Sequence, residues 1–480
     1  MVKSQPDNPR ARTKIVATVG PAVATADMLT RLVESGVDVF RINMAHGNRE
    51  EHQGMIDAIR EIEQYCDQPI GILVDLAGPK IRLADLVADP LPCRMDEQFS
   101  FVRDGQAKTA NQLETNYPRL VDELAMDDIV MLADGTVGMQ VIECEADSVL
   151  VKVIEPGLVR SRQGVNLPGV TLSVSALTAE DRDNAIWAAN SEVDFVGLSF
   201  VRKPGEVEEL KELIAAQDSQ AMVIAKIEKR EALENLDEIV RVADAIMVAR
   251  DDLGVEIDFA ETPMAQKRII SCCQLNSRPV IVATQMLDSM HHSSRPTRAE
   301  VSDVANAILD GADACMLSGE TAIGEFPVES VCVMNRIMLN TEKALPDQPP
   351  SIAPQFAEGV HPVTAAVVYG AARIADRLDA RLVVVATRSG NTARIKAKQR
   401  DFIPTVGISN SVKTLRQLCL YWGIIPLLGV PMEDRQEMRK AVIAWGQDDG
   451  CLAPGDLIVL VAGTGLDPLA HNMVTVQEVS

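Results

Sequence analysis

Eight short apolar runs, most of them ending in a polar or charged residue, constrain the fold of this chain more than any other feature. They lie at 14–20, 37–43, 70–75, 195–200, 222–228, 246–256, 279–285 and 314–320. Between most of them the apolar residues recur with helical periodicity, as at 26–34, 49–64, 206–216 and 298–309. Near-continuous Val/Ile/Leu strands alternating with helices indicate a parallel sheet covered on both faces. Eight such units fit a closed (β/α)8 barrel, whose chemistry lies at the C-terminal ends of its strands. An open doubly wound sheet is the alternative reading.

The alternation breaks between the third and fourth runs. From 82 to 168 helix signals are scarce, and alternating segments flank the turn Asp134-Gly135. This predicts an inserted β-barrel lid domain at the barrel mouth. Prolines at 346, 349, 350, 354 and 362 mark a linker over 344–362. Beyond it, strands near 382–387, 404–408, 424–428, 456–461 and 473–476 predict a C-terminal α/β domain. The expected division is a discontinuous barrel over 1–81 and 169–343, the lid over 82–168, and the C-terminal domain over 363–480.

A strand interior cannot host unpaired charge, so Lys226, Glu228, Arg250 and Asp252 are expected at strand tips around a shared cavity. A lysine beside two carboxylates suits a divalent cation bridged to an anionic substrate. The formal charge of -23 disfavours nucleic acid and anionic membranes as partners. An anionic substrate then needs a local positive pocket, which Arg41, Lys80, Arg82 and Lys226 can supply. The nine cysteines contain no C-x-x-C pair, and no apolar run reaches membrane-spanning length. The expectation is a soluble cytoplasmic protein with reduced thiols. No P-loop, G-x-G-x-x-G after a strand, or H-E-x-x-H occurs, and His46 is the only histidine close to a strand tip. That inventory suits phosphoryl transfer, where positioning and charge neutralisation do most of the work.

Several motifs then converge: Arg41-Ile-Asn43-Met-Ala45-His46-Gly47, Asp75-Leu-Ala-Gly78-Pro79-Lys80-Ile-Arg82, Lys226-Ile-Glu228, Ala283-Thr284-Gln285-Met286-Leu287, Pro296-Thr-Arg298-Ala-Glu300 and Leu317-Ser318-Gly319-Glu320-Thr321. In order and spacing they resemble pyruvate kinases of bacterial type, which lack the N-terminal extension of the animal enzymes. The resemblance implies phosphoryl transfer from phosphoenolpyruvate to ADP, giving pyruvate and ATP, in a protein usually assembled as a homotetramer. It implies that Glu228 and Asp252 hold Mg²⁺ or Mn²⁺, that Lys226 and Arg41 neutralise the phosphoryl group, and that Asp251 and Asp252 lie against the substrate. Thr284 corresponds to a threonine near the enolate carbon, and Ser318 to a hydroxyl of the proton relay. Asn43, His46, Arg82 and Arg162 correspond to nucleotide-side contacts.

Two departures from the family pattern matter. Asp251 stands where the family carries glycine, which adds an anion beside an anionic substrate. Potassium-requiring relatives hold that ion with Asn43 and Asp75 equivalents and a serine; here Ala45 takes the serine position, and Lys80 replaces a glutamate. The expectation is an enzyme that does not require K⁺. In the C-terminal domain, Thr387, Ser389, Asn391 and Thr392 surround Gly390 before a helical pattern, an arrangement that offers donors to the phosphate of an effector. Two other readings remain at this point: a metal-dependent barrel aldolase or lyase acting on pyruvate enolates, and a sensor of phosphorylated metabolites that has lost catalysis.

Overall fold

The computed structural model describes residues 9–103, 105–133, 135–170, 172–345, 361–463 and 473–480. Eight parallel strands close into a barrel: Lys14–Thr18, Val39–Asn43, Gly71–Asp75, Phe195–Leu198, Met222–Ile227, Ala245–Ala249, Val280–Ala283 and Ala314–Leu317. The first strand pairs with the eighth, Lys14 opposite Ala314, which completes the ring. Helices cover the outside, and polar residues start several of them. Thr25 accepts from Met28 N at 3.3 Å, and Asn48, Thr178 and Thr297 each form a reciprocal capping box with Glu51, Asp181 and Glu300. The helix Ala26–Ser35 then buries Leu29, Leu32 and Val33 against the strands.

The floor of the barrel repeats one device four times. Asp38, Asp194, Asp244 and Asp313 each directly precede an even-numbered barrel strand. Each carboxylate accepts the backbone N–H of the preceding odd strand: Ile15 at 2.9 Å, Ile72 at 2.8 Å, Val223 at 2.9 Å and Val280 at 2.8 Å. The paired cations are Lys14, Arg60 and Lys211 for the first three, and Lys398 at 2.5 Å for Asp313. Lys398 comes from the C-terminal domain, so that domain completes the floor. Barrel-lumen residues Val16, Leu73, Phe195 and Met247 share one apolar cluster with Val383, Leu418 and Tyr421 beneath them. Phe195 is fully buried there, which stabilises the fold by about 3 kcal/mol. The opposite, C-terminal end of the strands is left free for chemistry.

The insertion is β-rich. Strands Val165–Asn166, Ile129–Leu132, Val137–Cys144, Ser148–Glu155, Gln98–Val102 and Gln112–Leu113 form one sheet in that order, and Leu91–Cys93 pairs with Gly157–Val159. The short helix Leu120–Glu123 was not expected from the sequence. Phe99, Phe101 and Val151 anchor a separate core. Bridges from Arg82 to Gly164 and from Leu83 to Thr115 bring the two ends of the insertion together as a narrow neck. The C-terminal domain is a five-stranded sheet, Ile424–Leu427, Thr405–Ile408, Leu382–Ala386, Leu457–Ala462 and Met473–Glu478, with only the last strand antiparallel. Most of the expected linker, 346–360, and Asp134 of the expected turn lie outside the described residues. Among the described residues no helix is long and apolar enough to cross a membrane.

Candidate active site

Charge collects where the strands open. Arg41, near the end of the second strand, donates from Nε and Nη2 to Asp75 Oδ2 at 2.9 and 2.5 Å, and from Nη1 to Thr18 Oγ1 at 3.2 Å. Lys226, on the fifth strand, lies 2.7 Å from Glu228 Oε1 and 3.4 Å from Asp75 Oδ2, and donates to Ser199 Oγ at 2.8 Å. Glu228 also accepts from Phe200 N at 3.0 Å. Arg41, Asp75, Lys226 and Glu228 therefore form one buried, two-cation, two-carboxylate cluster. Only glycine fits at position 197 in the fourth strand, because a Cβ there stands 2.6 Å from Asp75 Oδ1.

The cluster tunes its own charges. Burial pushes Asp75 up, but Lys226 and Arg41 outweigh it and hold the carboxyl below its ordinary range. Burial pulls Lys226 down, yet Asp75 and then Glu228 outweigh that, and its ammonium is held above the usual lysine range. Burial pushes Glu228 up, Lys226 pulls it back, and the neighbouring Asp252 adds to the rise, so its carboxyl stands above the carboxylate norm.

Asp252 lies in the helix Arg250–Glu256, which begins directly at the end of the sixth strand. Its Oδ1 is 3.8 Å from Lys80 Nζ. Asp251 is exposed at the rim, yet crowded enough that burial, and then Asp252, push its carboxyl up to about 6. Its N–H donates to Thr284 Oγ1 at 3.1 Å. Thr284 and Gln285 both adopt positive φ, 68° and 51°. For a β-branched threonine this is strained by about 1–3 kcal/mol, a cost that gathers at functional positions. Ser318 follows the eighth strand, and its buried Oγ has no hydrogen-bond partner among the described residues.

Several expected residues fall elsewhere. Arg250 does not face the cavity: it donates to Asp303 Oδ2 and to Thr284 O, each at 2.6 Å, and so supports the threonine from behind. Asn43 Oδ1 accepts from Ala45 N at 3.2 Å. His46 is exposed, and its carbonyl accepts from His52 Nε2 at 2.8 Å. Arg82 and Arg162 meet at the neck of the lid, Arg82 Nη1 donating to Arg162 O at 3.3 Å, while Arg162 pairs with Asp85 at 2.9 Å. None of their hydrogen bonds or ion pairs reaches the buried cluster. A cleft between neck and rim is lined by Lys80, Asn166, Phe200, Arg202 and Lys229. On the loop after the seventh strand His292 is exposed, but His291 turns inward. In the C-terminal domain Thr387 Oγ1 accepts from Gly390 N at 3.0 Å, Gly390 has φ 81°, and the helix Asn391–Lys398 starts there, with Ser389 and Asn391 exposed and Thr392 buried.

Two residues escaped the sequence reading. Ser199 bridges Lys226 to Leu76 O, to which it donates at 2.7 Å, and Thr18 ties Arg41 to Leu317 O. Both are hydroxyls at or just beyond the C-terminal end of a barrel strand, which is the signal that could have found them.

The residues present fit a small divalent cation. Glu228, just after the fifth strand, and Asp252, in the helix after the sixth, offer hard carboxylate oxygens, and Mg²⁺ takes one or two carboxylates and completes its shell with substrate oxygens and water.

Comparison with known proteins accords with this geometry. The family model for the pyruvate kinase barrel domain matches residues 10–331, and that for the pyruvate kinase alpha/beta domain matches 365–477. The chain is 41% identical to a pyruvate kinase of Corynebacterium glutamicum over 460 residues, covering 94% of each chain. It is 41% identical to pyruvate kinase 2 of Synechocystis, covering 94% of this chain and 76% of that one. A crystal structure of a pyruvate kinase from Cryptosporidium parvum superposes with a TM-score of 0.90 at 30% identity, over 98% of this chain and 96% of the other. The chain belongs to the pyruvate kinase family and is a phosphotransferase.

Proposed function

We propose that this chain transfers the phosphoryl group of phosphoenolpyruvate to ADP, and that the buried Arg41–Asp75–Lys226–Glu228 cluster carries the reaction. The observation behind this reading is that two cations are held rigid at the mouth by carboxylates that themselves stay ionised or poised. Arg41 presents its fork to the phosphoryl oxygens, with Asp75 fixing the plane of the guanidinium. Lys226 faces both the transferring group and the enolate oxygen left behind, in a site that excludes water. Glu228 and Asp252 would hold Mg²⁺ or Mn²⁺, which would supply charge neutralisation to the anionic substrate. Thr284, near the enolate carbon, and Ser318 behind it carry a proton from solvent to that carbon. Asn43, His46, Arg82 and Arg162 serve the nucleotide, which requires the lid to swing on its neck over the mouth. The lid is taken as 82–168, the linker as 344–362 and the regulatory domain as 363–480.

The same reading makes the enzyme independent of added K⁺. Ala45 offers no ligand oxygen, Asn43 Oδ1 is committed to Ala45 N, and Asp75 Oδ2 already faces two cations. Lys80, 3.8 Å from Asp252, contributes a tethered positive charge at the rim. The C-terminal domain binds a phosphorylated effector at Thr387, Ser389, Asn391 and Thr392, where Gly390 opens a helix N-terminus. The working form is a homotetramer in the cytoplasm. A coupled assay for pyruvate in tetramethylammonium buffer, with and without K⁺ and a panel of sugar and nucleoside phosphates, tests these assignments. Calorimetry on Ser389→Ala with the same panel tests the effector site.

A further inference from the structure

One carboxylate joins the two loops that carry the relay hydroxyls. Glu320 is buried, and its Oε1 accepts from Leu287 N at 3.0 Å while its Oε2 accepts from Ser318 N at 2.7 Å. Leu287 closes the short loop that begins at the strained Thr284. Glu320 thus sets the separation between the backbone of Thr284 and that of Ser318. His291 lies against it. Its ring packs on the Cα of Gly319, where a Cβ would stand 2.3 Å from Cε1, so only glycine admits it. The buried His291 Nε2 has no hydrogen-bond partner among the described residues, and it is 4.0 Å from Glu320 Oε2 and 3.9 Å from Asp288 Oδ1. The other charged or titratable groups nearby are His292, whose ring stands 6.2 Å away edge-on, and Glu325, which pairs with His292 at 3.0 Å.

We propose that Glu320 is the positioning residue of the proton relay. The proposal rests on Thr284 and Ser318 forming that relay. With both loops held by one carboxylate, Thr284 hands its proton to the enolate carbon and regains one from solvent through the Ser318 hydroxyl. Phosphoryl transfer, which uses Arg41 and Lys226 on other strands, does not depend on this contact.

The test separates the two half-reactions. Exchange of pyruvate methyl protons for solvent deuterium, with Mg²⁺ and ATP present, reads the relay. Binding of phosphoenolpyruvate reads the rest of the site. Glu320→Gln can accept only one of the two N–H groups, and exchange is expected to fall about 100-fold, the loss that a misplacement of roughly 1 Å produces. Affinity for phosphoenolpyruvate is expected to hold within about twofold. Glu320→Asp keeps the charge but shortens the reach, and should give an intermediate loss. If Thr284→Val and Ser318→Ala slow exchange while a folded Glu320→Gln matches wild type, the positioning role is overturned and the relay stands. If Thr284→Val and Ser318→Ala both leave exchange untouched, the relay reading falls and the proposal with it.

Discussion

Replacing Lys226 by methionine removes one of two cations from a pocket that keeps both carboxylates. In the native site the ammonium is 2.7 Å from Glu228 and 3.4 Å from Asp75, with Ser199 as a third partner. A unit charge ~4 Å from the transferring group, at an effective dielectric of about 20, contributes roughly 4 kcal/mol. At ~1.4 kcal/mol per tenfold, that predicts a fall in kcat of about 10³. Breaking a buried pair also costs about 3–5 kcal/mol of stability unless a carboxylate takes up a proton. In the variant, Glu228 loses the ammonium that opposed its burial, so its carboxyl rises further. An acid raised in the folded state contributes stability below its unfolded pKa and loses it as the pH climbs through the folded one. The destabilisation of Lys226→Met should therefore grow from acid toward neutral pH. Steady-state turnover, corrected for the folded fraction measured by thermal unfolding at each pH, separates the two effects. A folded Lys226→Met whose kcat stays within about tenfold of wild type refutes the reasoning.

Three further outcomes follow from the same geometry. Glu256, buried against Lys229 at 2.5 Å, has its carboxyl pushed up to about 7 by burial, which Lys229 only partly offsets. Wild-type stability should decline between about pH 4.5 and 7, and the melting temperature of Glu256→Gln should gain on wild type across that window. Gly197→Ala places a methyl 2.6 Å from Asp75 Oδ1, so stability should fall by about 1–3 kcal/mol and activity should drop through displacement of Arg41 and Lys226. Lys80→Glu should lose activity in tetramethylammonium buffer and regain part of it with K⁺, more fully when combined with Ala45→Ser; strong K⁺ dependence of the unmutated protein would contradict this.

Much of the architecture was legible because strand tips announce themselves. An apolar run that ends in Asp75, Lys226 or Ser318 has to leave a barrel core at that point, and all eight runs do so. The direction in which a tip residue points is not written in the run. Arg250 looks like Lys226 in sequence, but it opens the helix Arg250–Glu256 instead of lying in the strand, and it turns to Asp303 on the outer layer. Asp75 was read only for monovalent-cation binding, because its two cations come from strands 34 residues before it and 151 residues after it. Ser199 and Thr18 acquire meaning only once Lys226 and Arg41 are placed beside them. The inward turn of His291 depends on a missing Cβ at Gly319, a packing fact between loops distant in sequence. The floor aspartates repeat the pattern of an apolar residue, Asp and another apolar residue at 37–39, 193–195, 243–245 and 312–314, a signal present in the chain that passed unread.

The most direct measurement of the central claim mixes purified protein with Mg²⁺, phosphoenolpyruvate and ADP in tetramethylammonium buffer, and follows pyruvate and ATP together. The account predicts that both appear in equal amounts and that ADP disappears in step with phosphoenolpyruvate. Pyruvate formed without ATP, or no turnover from a folded protein saturated with Mg²⁺ and both substrates, would contradict it.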